Sequence, residues 1–287
     1  MNLRILLILS LFATSFQACN MVNPTESIPT YIQIDSVTLQ SVLPSVHGSV
    51  SHKITDVWVY YNRELLGAFE IPAKVPVLAD KRGELQIIAG VWEDGLSGIR
   101  AKYPFYNLDT FAFDPSPTKT IHFTPHFTYR TTDSVSTHYF VEDFEQGNSF
   151  GPGFGDTSFT KTNLPDEVFE GNWSSKLELN DTLTYGEGIS LQEFTLPANK
   201  MCYLELNYKS DIPFVIRTLV LKGGAQTTID LTGINPSSKW GKIYYNFGGF
   251  PTKFQNSTFK FIISAELPSD KTQGKVLIDN FKIIHFN

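Results

Sequence analysis

The sequence lacks several features that would identify a function directly. After the amino-terminal segment, no apolar run approaches the ~20 residues that a membrane-spanning helix needs. Lys and Arg form no patch or run, which argues against nucleic-acid binding and against electrostatic attachment to anionic lipid. The sequence contains no HExxH motif, no CxxC pair and no P-loop, and Gly95–Ile99 lacks the GxSxG spacing of a nucleophile elbow. We therefore predict that the protein is not an enzyme.

Helix-forming stretches are also scarce. Long segments rich in Ala, Glu, Lys and Leu are absent, whereas aromatic residues make up 14% of the chain, with 23 Phe and 12 Tyr. Aromatic and β-branched side chains favour strands. The composition therefore predicts an all-β protein, and the length of the chain suits two domains better than one.

The amino-terminal segment has the organisation of a signal peptide. Arg4 precedes an apolar stretch, Ile5–Phe12, which is too short to span a bilayer. Small and polar residues follow and end at Ala18-Cys19, which resembles the lipobox of bacterial lipoproteins, although Phe16 stands where Leu is usual. The resemblance implies cleavage before Cys19 and covalent lipid on its sulfur. The alternative is a plain secretory signal with a cysteine near the cleavage site.

A lipidated Cys19 would hold the chain on a membrane, because two or more acyl chains give stable anchoring. Residues 19–27 are then a lipidated tether without a hydrophobic period. Removing residues 1–18 takes away one basic residue, which changes the net charge by one unit from −6 to −7. Cys202 would have no intramolecular disulfide partner, and its place in the alternating string MCYLELNY indicates a small buried side chain.

The first domain is predicted to cover residues 28–134. Ile54–Asn62 and Glu64–Pro72 have strand-like patterns on either side of the turn residues Asn62-Arg63, as in a β-hairpin. Glu84–Gly95 is predicted as a further strand. Strands of this length between regular turn signals are typical of an immunoglobulin-like sandwich.

Part of this domain carries a family resemblance. The strings KITDVWVYYNRELLGAFEIPAKVPVL and GELQIIAGVWEDGLSGIRAKYPFY resemble a family of largely uncharacterised outer-membrane lipoproteins of Bacteroidetes (Flavobacterium-like bacteria). The resemblance covers roughly residues 28–106. It implies an outer-membrane location, with the cell surface favoured over the periplasmic face, and it implies no activity for any residue.

The second domain is predicted to cover residues 138–287. It opens with YFVEDFEQG at Tyr139–Gly147 and closes with VLIDNFKI near the end of the chain, with several strand-like segments between. The pattern resembles the jelly-roll of carbohydrate-binding modules and galactose-binding-like domains. That resemblance implies that the first and last strands lie side by side. The predicted fold is therefore two tandem β-sandwiches, the first immunoglobulin-like and the second a jelly-roll.

The jelly-roll resemblance also implies a possible metal site. In such modules the first and last strands often share a structural calcium, and Glu142, Asp143 and Asp279 are the carboxylates at the matching strands. The alternative is a solvated strand edge whose charges discourage pairing with another chain.

Loop aromatics are the remaining candidates for a recognition surface. Most aromatic residues in such a chain belong to the core, but rings in the segments GNWSSK, SSKWGKIYYNFGGF and AKYPFY lie in or beside predicted loops. Aromatic rings stack on the faces of sugars, and they also dominate protein interfaces. We select Trp173, Trp240 and Tyr245 as candidate glycan or partner contacts. The glycine-rich string FGPGFGD at Phe150–Asp156 is interpreted as a flexible loop and not as a phosphate cradle, because it has no lysine.

Two functions fit these observations. The first is a non-catalytic lipoprotein that acts as an interaction or scaffold subunit of an outer-membrane protein assembly or export complex. Its partners would be an integral outer-membrane β-barrel protein or other envelope lipoproteins. The alternative is a surface lipoprotein that binds glycans through the jelly-roll domain. No nucleic-acid partner is predicted.

Overall fold

The computed structural model describes residues 27–95, 98–131 and 137–287. The described chain is almost entirely β-structure, which confirms the predicted fold class. None of the helices in the described ranges has the length and apolar character that crossing a bilayer requires. The signal peptide, Cys19 and most of the tether lie outside the described residues.

The first domain contains short strands and one turn of helix. Its strands are β1 (Thr30–Ile34), β2 (Thr38–Gln40), β3 (Ile54–Tyr61), β4 (Glu64–Glu70), β5 (Ala73–Val77), β6 (Gly83–Trp92), β7 (Arg100–Lys102), β8 (Asp109–Phe113), β9 (Thr120–His122) and β10 (His126–Thr128), with helix α1 at Pro44–His47. One sheet has the order β4-β3-β6-β7, and β8 also pairs with β6. Two smaller sheets, β5-β1-β9 and β10-β2, complete the domain.

The alternation of side chains explains this core. Leu85, Ile87, Ala89 and Val91 lie on one face of β6 and are buried, as period-2 strands require. The predicted β3–β4 hairpin is present, with positive φ angles at both Asn62 and Arg63.

The second domain is built from two sheets. Its strands are β11 (Thr137–Glu142), β12 (Phe150–Pro152), β13 (Thr160–Thr162), β14 (Ser174–Asn180), β15 (Tyr185–Ser190), β16 (Cys202–Ser210), β17 (Phe214–Lys222), β18 (Ala225–Ile234), β19 (Ser237–Asn246), β20 (Thr258–Glu266) and β21 (Gln273–Phe286). A 3-10 turn lies at Pro165–Glu167 and helix α2 at Gly249–Lys253. We call β13-β14-β21-β16-β19, with β11 on β21, the inner sheet, and β12-β15-β20-β17-β18 the outer sheet. As expected, β11 and β21 are antiparallel neighbours.

One face of the inner sheet belongs to the core of the second domain, and its other face packs against the first domain. Leu204, Tyr245 and Ile283 point into the second domain's core, whereas the alternate residues Tyr203, Tyr244 and Ile284 join the core of the first domain. A sheet with two apolar faces must be covered on both sides. The two sandwiches therefore share a continuous apolar junction.

This junction corrects one expectation. The aromatic residues of AKYPFY were predicted to be available for recognition, but Tyr103, Phe105 and Tyr106 are 1%, 0% and 2% exposed. The Tyr103 ring lies 5.2 Å from that of Tyr203 and 4.9 Å from that of Tyr244. The segment contacts the neighbouring domain of the same chain, because the outward face of the inner sheet offers it an apolar surface.

Candidate functional site

The outer sheet presents a mixed polar and aromatic face to solvent. On β15, Gly186 and Gly188 face the core, since an added Cβ would meet Leu177 or Phe159. Tyr185 and Glu187, which alternate with these glycines, lie on the other face of the sheet. There Tyr185 is half-buried, and Glu187 is only 7% exposed because the loop that holds Phe154 covers it. On β17, Phe214 and Ile216 enter the core and Arg217 lies on the outward side.

Arg217 is the centre of a charged cluster on this face. Its Nη1 donates a hydrogen bond to the Tyr185 hydroxyl at 2.9 Å and lies 3.9 Å from Glu187 Oε2. Its Nε lies 2.8 Å from Asp230 Oδ1 as an ion pair. The Tyr185 hydroxyl donates in turn to Glu187 Oε2 at 2.8 Å. Burial and this bond to a carboxylate raise the pKa of Tyr185, so the phenol stays protonated. The guanidinium thus lies between one hydroxyl and two carboxylates, with a hydrogen bond to Tyr185 and ion-pair contacts to Glu187 and Asp230. Arg217 Nε approaches Asp230 without hydrogen-bond geometry.

Phe154 lies beside this cluster and is 80% exposed. Its ring centroid is 6.2 Å from that of Tyr185, and its backbone N–H donates to Glu187 Oε1 at 2.6 Å. The exposed ring of Phe154 therefore lies next to the Arg–Tyr–carboxylate network.

Two glycines allow this arrangement. A Cβ on Gly153 would lie 2.5 Å from Glu187 Oε1, and a Cβ on Gly155 would lie 2.6 Å from Tyr185 Cδ1. Gly155 also has a φ of 119°, which L side chains rarely adopt. The sequence-based interpretation treated these glycines as signs of a flexible loop. The structure shows that they let the loop approach the sheet closely, with Phe154 projecting outward between them.

A cleft of about 330 Å³ adjoins the cluster. Tyr185, Arg217, Ser264 and Glu266 line it from the sheet, and Gly233–Asn235 line it from the end of β18. The cleft combines an aromatic surface with hydrogen-bond donors and acceptors in fixed positions. Such a surface is suited to a ligand that has apolar C–H faces and many hydroxyl groups.

The predicted tryptophans lie elsewhere. Trp173 packs partly against the second domain's core, with Lys161 Nζ 4.6 Å from its ring centroid. The ring of Trp240 lies 5.3 Å from that of Phe169, and Phe169 and Trp173 line a common cleft of about 630 Å³. The structure therefore brings both tryptophans near one loop, which is separate from the Arg217 cluster.

Tyr245 is placed differently from the tryptophans. It is 8% exposed and belongs to the second domain's core, and burial raises its pKa to about 12. Its position follows from alternation on β19, because the neighbouring Tyr244 faces the first domain. The ring of Tyr245 is thus not displayed for stacking. The sequence-based prediction placed Tyr245 near a loop. It lacked the pairing register of β19, which decides the face of the sheet that Tyr245 occupies.

The predicted calcium ligands each have partners within the protein. The two oxygens of Glu142 accept backbone N–H groups of Phe144 and Ser149, both at 2.6 Å. Asp143 accepts the N–H of Glu145 at 3.1 Å. Within the described ranges, no group of three or more His, Cys, Asp or Glu residues could hold a metal ion. Their arrangement gives calcium no support, and the site stays a prediction.

Asp279 is the most unusual of these carboxylates. It is fully buried, accepts the Ser174 hydroxyl at 2.6 Å and accepts the Asn280 N–H at 2.7 Å. Burial raises the pKa of Asp279 to about 7, although these hydrogen bonds oppose the rise. Both oxygens of Asp279 thus already accept hydrogen bonds from groups of the protein.

Cys202 is fully buried, as the alternating pattern predicted. Burial raises the pKa of its thiol well above the ordinary value, which makes it a poor nucleophile.

Comparison with known proteins gives relatives of low similarity. No protein-family model and no curated protein matches the chain. Among solved structures, the carbohydrate-binding module TmCBM61 in complex with β-1,4-galactotriose has 17% identity and a TM-score of 0.35, and the match covers 49% of this chain and 92% of that one. A family 11 module from Clostridium thermocellum, solved with a β-1,3-1,4-mixed-linked tetrasaccharide, has 13% identity and a TM-score of 0.35, covering 51% and 94%.

A third structure, from a study of promiscuous specificity in carbohydrate-binding modules of the β-sandwich superfamily, has 13% identity and a TM-score of 0.36. That match covers 90% of this chain and 98% of the other. At these identities and TM-scores the similarity says nothing about the ligand of this chain, which has to be inferred from its own residues.

Proposed function

We propose that the chain binds a neutral glycan on the outer sheet of the second domain. The observation that carries this proposal is the Arg217 cluster, in which the guanidinium, the Tyr185 hydroxyl and the Glu187 carboxylate are held together beside the exposed ring of Phe154. The ring offers an apolar face to the C–H groups of a sugar, and the partly exposed Tyr185 and Arg217 side chains offer hydrogen-bonding groups to its hydroxyls.

The charge of the face favours a neutral ligand over an acidic one. Glu187 and Asp230 lie within 4 Å of Arg217, and Glu266 lines the same cleft. An anionic sugar would meet more negative than positive charge here. Like-charge contacts weaken binding and so select against the wrong partner.

Binding to soluble polysaccharides tests this proposal. We expect affinity electrophoresis and calorimetry to show retention on mixed-linked β-glucan or galactan, and not on polygalacturonan. Phe154→Ala and Arg217→Ala should each weaken binding by about tenfold or more. Leu65→Ala is a matched control on the first domain, because Leu65 is also exposed, at 50%. Failure of both neutral polysaccharides to bind, or wild-type affinity in both face variants, would rule the proposal out.

We further propose that the chain is a lipoprotein of the outer membrane, anchored through Cys19. The support is the sequence pattern at residues 1–19. Mass spectrometry of the native protein should find acyl chains on Cys19, and protease treatment of intact cells should decide whether the body faces outward.

The scaffold hypothesis remains a second prediction. A subunit of an envelope assembly should co-purify in constant proportion with an integral outer-membrane protein. Purification from native membranes, with the Phe154→Ala variant in parallel, separates the two functions, because loss of glycan binding should leave a protein complex intact.

A further inference from the structure

A second cleft, between the two domains, shares a wall with the cleft beside Arg217. Gly233, Ile234 and Asn235, at the end of β18 and in the following loop, line both clefts. The second cleft has a volume of about 360 Å³, within the range of small-molecule sites, and such sites often form at domain interfaces. This short segment therefore forms part of the wall between the two clefts.

The first domain contributes Trp92 and Lys53 to the interdomain cleft. Lys53 Nζ lies 5.3 Å from the centroid of the Trp92 ring, and the Lys53 backbone N–H donates to the Tyr244 hydroxyl at 3.0 Å. Across the cleft, the second domain contributes Tyr208 and Asn235. Asp94 and Lys242 also line the cleft. Like the Arg217 cluster, the lining therefore combines an aromatic ring with a cation, a carboxylate and hydrogen-bonding groups.

The position of Trp92 relative to the second domain is fixed by the junction. Glu93 and Asp94, which follow Trp92, bind to the edge of β19. The Asp94 N–H donates to the Tyr244 carbonyl at 2.8 Å, and the Asn246 N–H donates to Asp94 Oδ1 at 2.9 Å. Asn246 Nδ2 also donates to Glu93 Oε1 at 3.2 Å. Trp92 is therefore presented to the second domain without a flexible linker, which lowers the entropy lost on binding.

We propose that the glycan-binding surface extends across Gly233–Asn235 into the interdomain cleft, so that the first domain supplies a subsite at Trp92. This inference rests on the proposed function. It restricts the proposed ligand to an oligosaccharide that is long enough to contact Arg217 and Trp92 together, which a single sugar is not. It also gives the first domain a part in binding.

Affinity as a function of chain length tests this inference. The probes are mixed-linked gluco-oligosaccharides and β-1,4-galacto-oligosaccharides, each from disaccharide to hexasaccharide, measured by calorimetry on the full two-domain chain. We expect wild-type affinity to rise with length. Trp92→Ala should lower hexasaccharide affinity about three- to tenfold and leave disaccharide affinity within about twofold, since one aromatic contact is lost. Trp92→Phe should keep most of the length dependence, because it keeps a ring.

The controls separate this inference from the proposed function. Arg217→Ala should weaken binding at every length. Melting temperatures verify that each variant is folded, and Asn235→Ala, at an exposed position of the shared wall, should reduce hexasaccharide affinity without affecting the half-buried Trp92. If the Trp92 and Asn235 variants bind every length as the wild type does while Arg217→Ala does not bind, the extension is wrong and the outer-sheet site stands. If the wild type binds neither series, both proposals fail.

Discussion

Glu205 of β16 and Lys242 of β19 form an ion pair with an O–N distance of 2.7 Å, and both side chains are almost fully buried at the domain junction. Lys282 Nζ lies 3.8 Å from the same carboxylate oxygen. The hydroxyls of Tyr103 and Tyr129 donate to Glu205 from the first domain. One carboxylate thus satisfies groups of both domains, in a place where water does not reach.

Replacing this carboxylate should destabilise the whole chain. Glu205→Gln keeps the shape of the side chain but leaves Lys242 and Lys282 without their buried anion. Removing one partner of a buried ion pair costs about 3–5 kcal/mol, so we expect that loss in the free energy of unfolding from urea denaturation. Glu178→Gln is the matched control. Glu178 pairs with Lys176 at 3.2 Å but is 55% exposed, and we expect a loss of about 1 kcal/mol or less. If the two substitutions lowered the free energy of unfolding equally, the buried ion pair would not have the stabilising role that we expect.

The same carboxylate should make the chain sensitive to acid. Burial favours the neutral form of Glu205, but the two lysines outweigh it and lower its pKa to about 2. A lowered folded-state pKa contributes stability above the unfolded-state value of 4.5, and this stability is lost as pH falls from about 4.5 towards 2. Thermal unfolding across this range should show the loss in the wild type. The difference in melting temperature between the wild type and Glu205→Gln should become smaller in the same pH range. A difference that does not change with pH would contradict a lowered pKa of Glu205.

Asp279 should produce the opposite dependence on pH. Its pKa is raised from 3.8 to about 7, so its contribution is complete below about pH 4 and is lost as pH rises through 7. Asp279→Asn resembles the protonated acid and should remove this slope. We therefore expect the melting temperature of the variant, relative to wild type, to increase between pH 4 and pH 8. A relative melting temperature that does not change with pH would show that Asp279 does not titrate there. A rise in melting temperature with added calcium, abolished by Asp279→Asn, would instead support the calcium prediction.

Gly155 should be required for the shape of the binding face. Gly155→Ala places a Cβ 2.6 Å from Tyr185 Cδ1 and 2.8 Å from the Tyr185 carbonyl oxygen, at a φ of 119°. We expect a loss of about 1–3 kcal/mol of stability, because of backbone strain and the clash, together with weaker glycan binding as Phe154 and Tyr185 are displaced.

Gly224→Ala separates strain from the clash. Gly224 has a φ of 85° but no atom within 4 Å of an added Cβ. We expect this variant to be destabilised by its backbone conformation alone and to bind the probe polysaccharide with wild-type affinity. If both glycine variants bind equally well, the position of the Phe154 loop does not matter for recognition.

The local patterns of the sequence were sufficient for the individual strands. The β3–β4 hairpin follows from two alternating segments around Asn62-Arg63, and the alternating pattern of β16 separates Cys202 and Leu204 from Tyr203 on the opposite face. These features depend on neighbours along the chain, and their periodicity is visible without any tertiary contact.

The candidate site could not be predicted from local patterns, because it depends on contacts between segments that are far apart in the chain. Arg217 meets Tyr185 and Asp230 through sheet pairing, and Phe154 reaches them only because two glycines let its loop approach the sheet. The aromatic residue between the glycines was a signal in the sequence, but it carried no information about what the loop faces.

By itself, the sequence determined the β class of this protein and the position of many strands, because backbone geometry alternates side chains within a few residues. Only the tertiary structure decided which aromatic rings are displayed. It buried Tyr103 and Tyr245 and exposed Phe154, since exposure depends on which sheet covers each face, and that covering is made by residues far apart in the chain.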